Sequence, residues 1–436
     1  MAFNQEKGYD VESAQKTNSQ DIVVDAGAVH AESLREGETW YAKAHRMAGR
    51  FGVESRGIER VPSDERTDAI AIFNVLACIG WSSVNVIVGA QLFHAVNGNM
   101  PGWAGIIVIA AATFLVTLFG YKIVHTYERY SWIPCFIIFL IVLGEFAHSG
   151  HFTNIPMGVG KSEAGACLSF AASVYGFATG WTSYAADYTV YQPVGRSRVS
   201  VFFWTFAGLI FPLLFTEMLG AAVATSMAAN GGDNAYMTGY ESSGIGGLLA
   251  AVIVPPLGKF GQFCLVVLAL SIIANNCPNI YSVSLSLQLL ARATQKVPRF
   301  VWTGIGTIVY CAIAIPGYSR FEDVLENFML LIAYWLGIYE AISISEHVFF
   351  KRGFGGYHPE DYLNPDKLPP GIAAIVAFCF GVMGAVLGMA QVWFTGPIGK
   401  LCGAEFGGDV GFELAFAFAA VSYCFMRYFE IRYFGR

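Results

Sequence analysis

The chain has 436 residues, 55% of them hydrophobic and 13% charged, with a net charge of −6. Ordinary soluble domains carry about 25% charged residues. The first 68 residues hold 22 of the 58 charges, so 36 remain for the other 368, too few to coat a soluble surface of that size. The acidic balance also lacks the basic stripe of a nucleic-acid binder. Composition therefore argues against a soluble enzyme and against nucleic acid as a partner. It reads as an all-α integral membrane protein in a lipid bilayer, behind a polar tail.

That tail, residues 1–68, begins without the apolar core of a secretory signal peptide and is expected to stay in the mature protein. Within it, Trp40 to Gly52 reads either as a short basic helix on the membrane surface or as a solvated linker. The nine cysteines fall mainly inside apolar runs and form no CxxC pair. They read as small buried hydrophobes and point to neither a zinc site nor a disulfide framework.

A bilayer core needs roughly 20 mainly apolar residues per helix. Ten runs qualify: Ala69–Leu92, Trp103–Tyr121, Trp132–Ala147, Ala164–Ala186, Val201–Met227, Gly261–Leu290, Val301–Pro316, Val324–Ile344, Gly371–Phe394 and Val410–Phe429. Residues 69–429 thus form the membrane domain and 430–436 a short C-terminus. Ile245–Leu257 is apolar over only about a dozen residues, which favours a re-entrant or surface hairpin. With the tail assigned to the cytoplasm, the inward loops carry ten Lys/Arg and the outward loops four. Basic residues accumulate on the cytoplasmic side, so both termini are expected there.

Polar residues in mid-span face protein or water, because an unsatisfied polar group in lipid costs several kcal/mol. In Trp81–Asn85 (WSSVN), Trp81 and Asn85 lie four apart on one helix face. An aromatic beside an amide suits a planar heterocycle, since Asn reads an adenine edge through paired donor and acceptor groups. Interhelical hydrogen bonding, worth about 0.6–2 kcal/mol, is the blander use, and the motif alone favours it. In Gly176–Trp181 (GFATGW), Gly176 and Gly180 permit close helix packing or an unwound segment lining a cavity. In Asn275–Asn279 (NNCPN), Pro278 removes the backbone donor for the Ala274 carbonyl, among three amides at mid-membrane depth. That combination favours a site over an ordinary kink. Glu128 follows the second span, where a carboxylate at a cavity edge could carry a proton. Residues 158–162, GVGKS, echo a phosphate loop but have Ile155 where its first Gly belongs. The parts for metal or Ser-His chemistry are lacking.

These motifs resemble a known family. GVESRGIERVP (52–62), WSSVN, FGYKIVHTYERYSWIP (119–134), GFATGWTSYAADYTVYQP (176–193), SIIANNCPNIYSVSL (271–285) and GGDVGFELAF (407–416) are similar to the fungal purine–cytosine permeases of the nucleobase–cation symporter family. The resemblance implies a LeuT-like fold of two inverted five-helix repeats plus two peripheral helices. It also implies proton-coupled uptake of cytosine, adenine, guanine or hypoxanthine across the plasma membrane, with a proton as coupling ion and no cofactor. By the same resemblance, Asn85 and Asn279 hold the base edge, and Trp81 and Trp181 line or stack the pocket. Asn275 and Pro278 shape a broken helix, and Glu128 serves substrate binding or proton coupling. One departure stands out. In the family, two further helices precede the run equivalent to Ala69–Leu92, whereas here residues 61–68 lead directly into it. The resemblance therefore implies either a nucleobase–proton symporter or a transport-inactive shortened form acting as a membrane-embedded binding protein.

Overall fold

The computed structural model describes residues 47, 53, 69–182, 195–290, 292–358, 361, 365–403 and 407–436. The polar tail, including the expected surface helix at 40–52, otherwise lies outside the described residues. Eleven long helices are described: α1 (Ala69–Val96), α2 (Gly102–Leu118), α3 (Tyr121–Ser149), α4 (Lys161–Ala178), α5 (Arg198–Thr225), α6 (Ala235–Leu257), α7 (Lys259–Leu289), α8 (Arg299–Gly317), α9 (Phe321–Ser345), α10 (Ile372–Gly388) and α11 (Gly411–Phe434). The one sheet among the described residues is a two-stranded ribbon, β1 (Ala390–Gln391) with β2 (Phe394–Thr395). Helices satisfy their own backbone polar groups, which is what a water-free bilayer core demands.

Ten of these helices match the ten apolar runs; α6 is the eleventh. It is long and apolar enough to cross a membrane, yet it is not straight. Ser243 (φ −148°, ψ 21°) and Gly244 (φ 58°, ψ −141°) leave helical geometry. The two halves fold back so tightly that a Cβ on Gly247 would lie 1.8 Å from the Gly239 carbonyl oxygen. Ile245–Leu257, expected to be a hairpin by itself, is instead one arm of a hairpin whose bend lies at Ser243–Gly244 and whose other arm starts at Ala235. Gly244 supplies the positive φ that an L-residue side chain resists.

Helix ends differ from the apolar runs where side-chain chemistry intervenes. α10 stops at Gly388 instead of running to Phe394, and the β1–β2 ribbon takes over. α11 continues to Phe434 instead of ending at Phe429, because Glu430 is an internal partner and not a solvated terminus. Arg427 Nη1 lies 2.9 Å from Glu430 and Arg427 Nε 3.2 Å from Glu346, just beyond α9. Glu430 also accepts from the Ala373 backbone N–H at 3.2 Å. One guanidinium thereby ties α9, α10 and α11 at one end.

Three apolar clusters hold the rest. The largest joins α1, α2, α7 and α8 through Cys78, Ile87, Ile106, Ile280 and Tyr310. A second joins α3, α5, α6 and α7, and a third joins α4, α9, α10 and α11. Buried Cys78, Cys264, Cys277 and Cys311 fit the reading of small hydrophobes, whereas Cys167 and Cys379 are exposed. Arg299, read from sequence as a loop charge, is fully buried. Its Nη2 donates to the carbonyls of Thr117 (2.9 Å) and Leu118 (3.2 Å) at the end of α2, where the Thr117 carbonyl also accepts from the Gly120 N–H at 3.1 Å.

Replacing Arg427 with Ala would leave the Glu346 and Glu430 carboxylates without their shared cation, a loss of about 3–5 kcal/mol for a buried pair. The expected outcome is a clearly lower thermal unfolding midpoint of the detergent-solubilised protein, with Arg427→Lys intermediate. An unchanged midpoint would show that this node contributes nothing to stability.

Candidate functional site

α1 and α7 run antiparallel, and their seam is polar at regular intervals. Near one end, Asn74 Nδ2 donates to Ser282 (3.0 Å) and Ser286 (2.9 Å). In the middle, Asn85 Nδ2 donates to Asn276 Oδ1 at 2.9 Å, and Asn276 Nδ2 donates to the Ser82 carbonyl at 3.3 Å. Beyond it, Gly89 lets Ile272 and the backbone of Ala269 approach. The spacing of these contacts keeps the two helices in one register and brings WSSVN opposite NNCPN.

Trp81 is buried beside this seam. Phe177 of α4 and Phe328 of α9 meet its ring edge-on, with centroids 5.4 and 5.1 Å away. Gly180 closes over it: a Cβ there would stand 3.2 Å from the indole Nε1. Gly176 has a different task, because a Cβ at that position would lie 2.2 Å from the Met329 carbonyl oxygen of α9. The two glycines of GFATGW have different neighbours, and neither lies in an unwound segment. Gly176 serves helix packing, and Gly180 lies in the 3-10 turn Thr179–Trp181 where α-helical geometry ends.

On α7, Asn279 is buried and its Nδ2 donates to the Asn275 carbonyl at 3.4 Å, whereas the Asn275 side chain is exposed. The expected break at Pro278 is not seen. α7 runs without a non-helical residue from Lys259 to Leu289, with Pro278 inside it. Dense packing on α1 holds the helix together where proline removes one hydrogen bond. Trp181 ends the turn after α4 with 36% of its surface exposed. It borders a groove of about 190 Å³ lined by Phe177, Gly208, Leu209, Pro212 and Thr216 among others. Glu128 lies on α3, and its side chain is outside the described residues.

The structure therefore joins Asn85 to Asn276 and sets Trp81 against Phe177, Phe328 and Gly180, whereas Asn275 faces away and Asn279 bonds within α7. Two partners escaped the sequence reading. Asn276 stands inside NNCPN, but the spacing of four singled out Asn275 and Asn279, and spacing alone does not tell which face meets α1. Glu340 is an acidic residue inside the apolar run Val324–Ile344, a signal that was legible. Among the described residues no group of His, Cys, Asp and Glu could hold a metal ion. Neutral amides next to aromatic rings suit a flat, uncharged ligand with donors and acceptors along its edge.

Comparison with known proteins identifies the family. Residues 66–398 match the family described as permease for cytosine/purines, uracil, thiamine, allantoin. The chain is 50% identical to purine-cytosine permease fcyB of Emericella nidulans, with all of this chain and 99% of the relative covered. That comparison extends over 513 positions against the chain's 436 residues, so at least 77 positions have no residue here. It is 47% identical to purine-cytosine permease FCY2 of Saccharomyces cerevisiae over 84% of this chain and 69% of the relative. It is also 31% identical to vitamin B6 transporter TPN1 of the same yeast, over 84% and 71%. No solved structure matches. The chain belongs to the family of permeases for cytosine/purines, uracil, thiamine and allantoin, and it is a membrane transporter rather than an enzyme.

Proposed function

We propose that this chain carries purine bases and cytosine across the plasma membrane by proton-coupled symport, with both termini in the cytoplasm. The observation that carries the reading is the register of α1 on α7, which gathers Trp81, Asn85, Asn276 and Asn279 beside the turn that ends in Trp181. A nucleobase offers an aromatic face and an edge of alternating donors and acceptors. Stacking on an aromatic side chain contributes about 1–3 kcal/mol per base, and a paired amide contact discriminates by about 1–3 kcal/mol. In this reading Trp81 and Trp181 line and stack the base, and Asn85 and Asn279 hold its edge. Asn275 and Pro278 shape the α7 wall. Asn85 and Asn276 bond each other, so a base that engages Asn85 exchanges one hydrogen bond for another. The relatives named as purine-cytosine permeases point to cytosine and purine bases as the ligands, and adenine, guanine and hypoxanthine are the purines this reading assigns. Glu128 carries the coupled proton, and the Lys/Arg asymmetry of the loops supports the orientation.

The architecture we infer is LeuT-like, with two inverted repeats of which the first lacks its opening helix pair. Two observations support the deficit. The 77 unmatched positions suffice for two spans of about 20 residues with their connections. In addition, residues 202–212 of α5 are exposed at every position. A helix packed on one side shows buried positions every three or four residues, so these three turns are not closely packed by the described residues and meet them only across the groove beside Phe177 and Trp181. The same exposure favours a second reading, a transport-inactive shortened permease that acts as a membrane-embedded binding protein.

Uptake of labelled cytosine by permease-null yeast separates the two. If the symport reading holds, cells expressing this chain accumulate cytosine; the shortened-form reading expects none despite surface expression. It also expects uptake to appear once the unmatched segment of the Emericella relative is inserted after residue 68. In whichever form transports, Asn279→Ala should abolish saturable uptake, and unchanged kinetics would remove Asn279 from the site. A proton-coupled uptake falls as external pH rises. Glu128→Gln, which cannot ionise, should flatten that dependence, and a pH profile like the parent's would exclude Glu128 from coupling.

A further inference from the structure

The end of α4 is fastened to α9 by one carboxylate. The Tyr175 hydroxyl donates to Glu340 Oε2 at 2.6 Å, and the Thr182 hydroxyl donates to Glu340 Oε1 at 3.1 Å. These two donors bracket the 3-10 turn Thr179–Trp181. Tyr175 stands four residues before its start and Thr182 follows its last residue, so both oxygens of one side chain span the place where α4 leaves α-helical geometry. Tyr175 is itself held from behind. Its ring stacks on Phe412 of α11, with centroids 4.1 Å apart and planes 14° from parallel.

α9 touches the neighbourhood of Trp181 in three ways. Its Met329 carbonyl abuts Gly176, its Phe328 ring meets Trp81, and its Glu340 takes the two hydroxyls. The first two are apolar or steric and persist wherever the helices stay packed. The third is directional and charge-assisted, about twice as strong as a neutral hydrogen bond. A carboxylate inside an apolar run is costly and marks function by default. Local packing does not require this one, since the third apolar cluster joins α4 to α9 through Ala172, Leu330, Tyr334 and Ile338 without it.

We propose that Glu340 is a positioning residue: it clamps the Trp181-bearing turn to α9 and so keeps Gly180 against Trp81 and Trp181 in its place at the groove beside α5. Its consequence for substrate affinity rests on the nucleobase reading above, whereas the clamp itself does not. Gln at this position offers an oxygen to one hydroxyl and an N–H donor to the other, so it can preserve both bonds. Leu can preserve neither.

The test uses the purified full chain in detergent. Backbone hydrogen exchange at residues 179–182 and equilibrium binding of labelled cytosine are read on the same samples. With Glu340→Leu, exchange in that turn should rise about tenfold and cytosine affinity fall about tenfold. Glu340→Gln should keep both close to the parent, and Tyr175→Phe and Thr182→Ala should each accelerate exchange less than Glu340→Leu does. Exchange in the turn unchanged by Glu340→Leu would overturn the clamp. So would faster exchange spread evenly over α4 and α9, which marks lost packing. A parent that binds no cytosine, yet shows the Leu-specific acceleration confined to the turn, supports the clamp and counts against the nucleobase reading alone.

Discussion

The arrangement depends on one constraint, that amides and hydroxyls buried between two apolar helices must find each other. Between α1 and α7 they do so at Asn74 with Ser282 and Ser286, and at Asn85 with Asn276. Sliding one helix by a residue would strand every one of these groups in an apolar seam, and each stranded group costs about 1–3 kcal/mol. The register is therefore narrow, and everything that rests on α1 inherits it. α2 packs through Gly105 on Ala90, and the α6 hairpin docks through Gly246 on the Gln91 backbone. The Gln91 side chain also accepts from the Ile245 backbone N–H at 3.2 Å.

A second set of polar groups secures the other end of the chain. Asp409, buried just before α11, accepts from Tyr334 of α9 and from the backbone N–H groups of Ala390 and Gly411. Its own N–H donates to Ser169 of α4 at 3.0 Å. With the Arg427 node at the opposite end of α11, α11 is fixed at both ends against α9. That gives Glu340 and Phe412 a fixed base from which to hold the 3-10 turn after α4.

Most of the helices were legible in the sequence because a bilayer imposes one rule on every span, length and apolarity together. The boundaries were less legible. Hydropathy does not register that Glu430 is paired and internal, so α11 was expected to end early. It likewise does not register that a ribbon replaces the end of α10. The continuity of α7 through Pro278 was not legible either, since the neighbouring helix that sustains it lies about 190 residues away in the chain.

For the site, the residue types were legible and their partners were not. WSSVN, GFATGW and NNCPN announced themselves as polar or glycine-rich breaks in apolar runs, which lipid tolerates only against protein or water. Sequence by itself thus determined the class of protein, the number of apolar runs and the short list of candidate positions. Tertiary structure alone decided that Gly176 packs on α9 while Gly180 closes over Trp81, that Asn276 is the amide meeting Asn85, and that Glu340 reaches across to Tyr175 and Thr182. The physical reason is that periodicity assigns a residue to a face of its own helix, whereas the identity of what that face meets depends on register and crossing between helices.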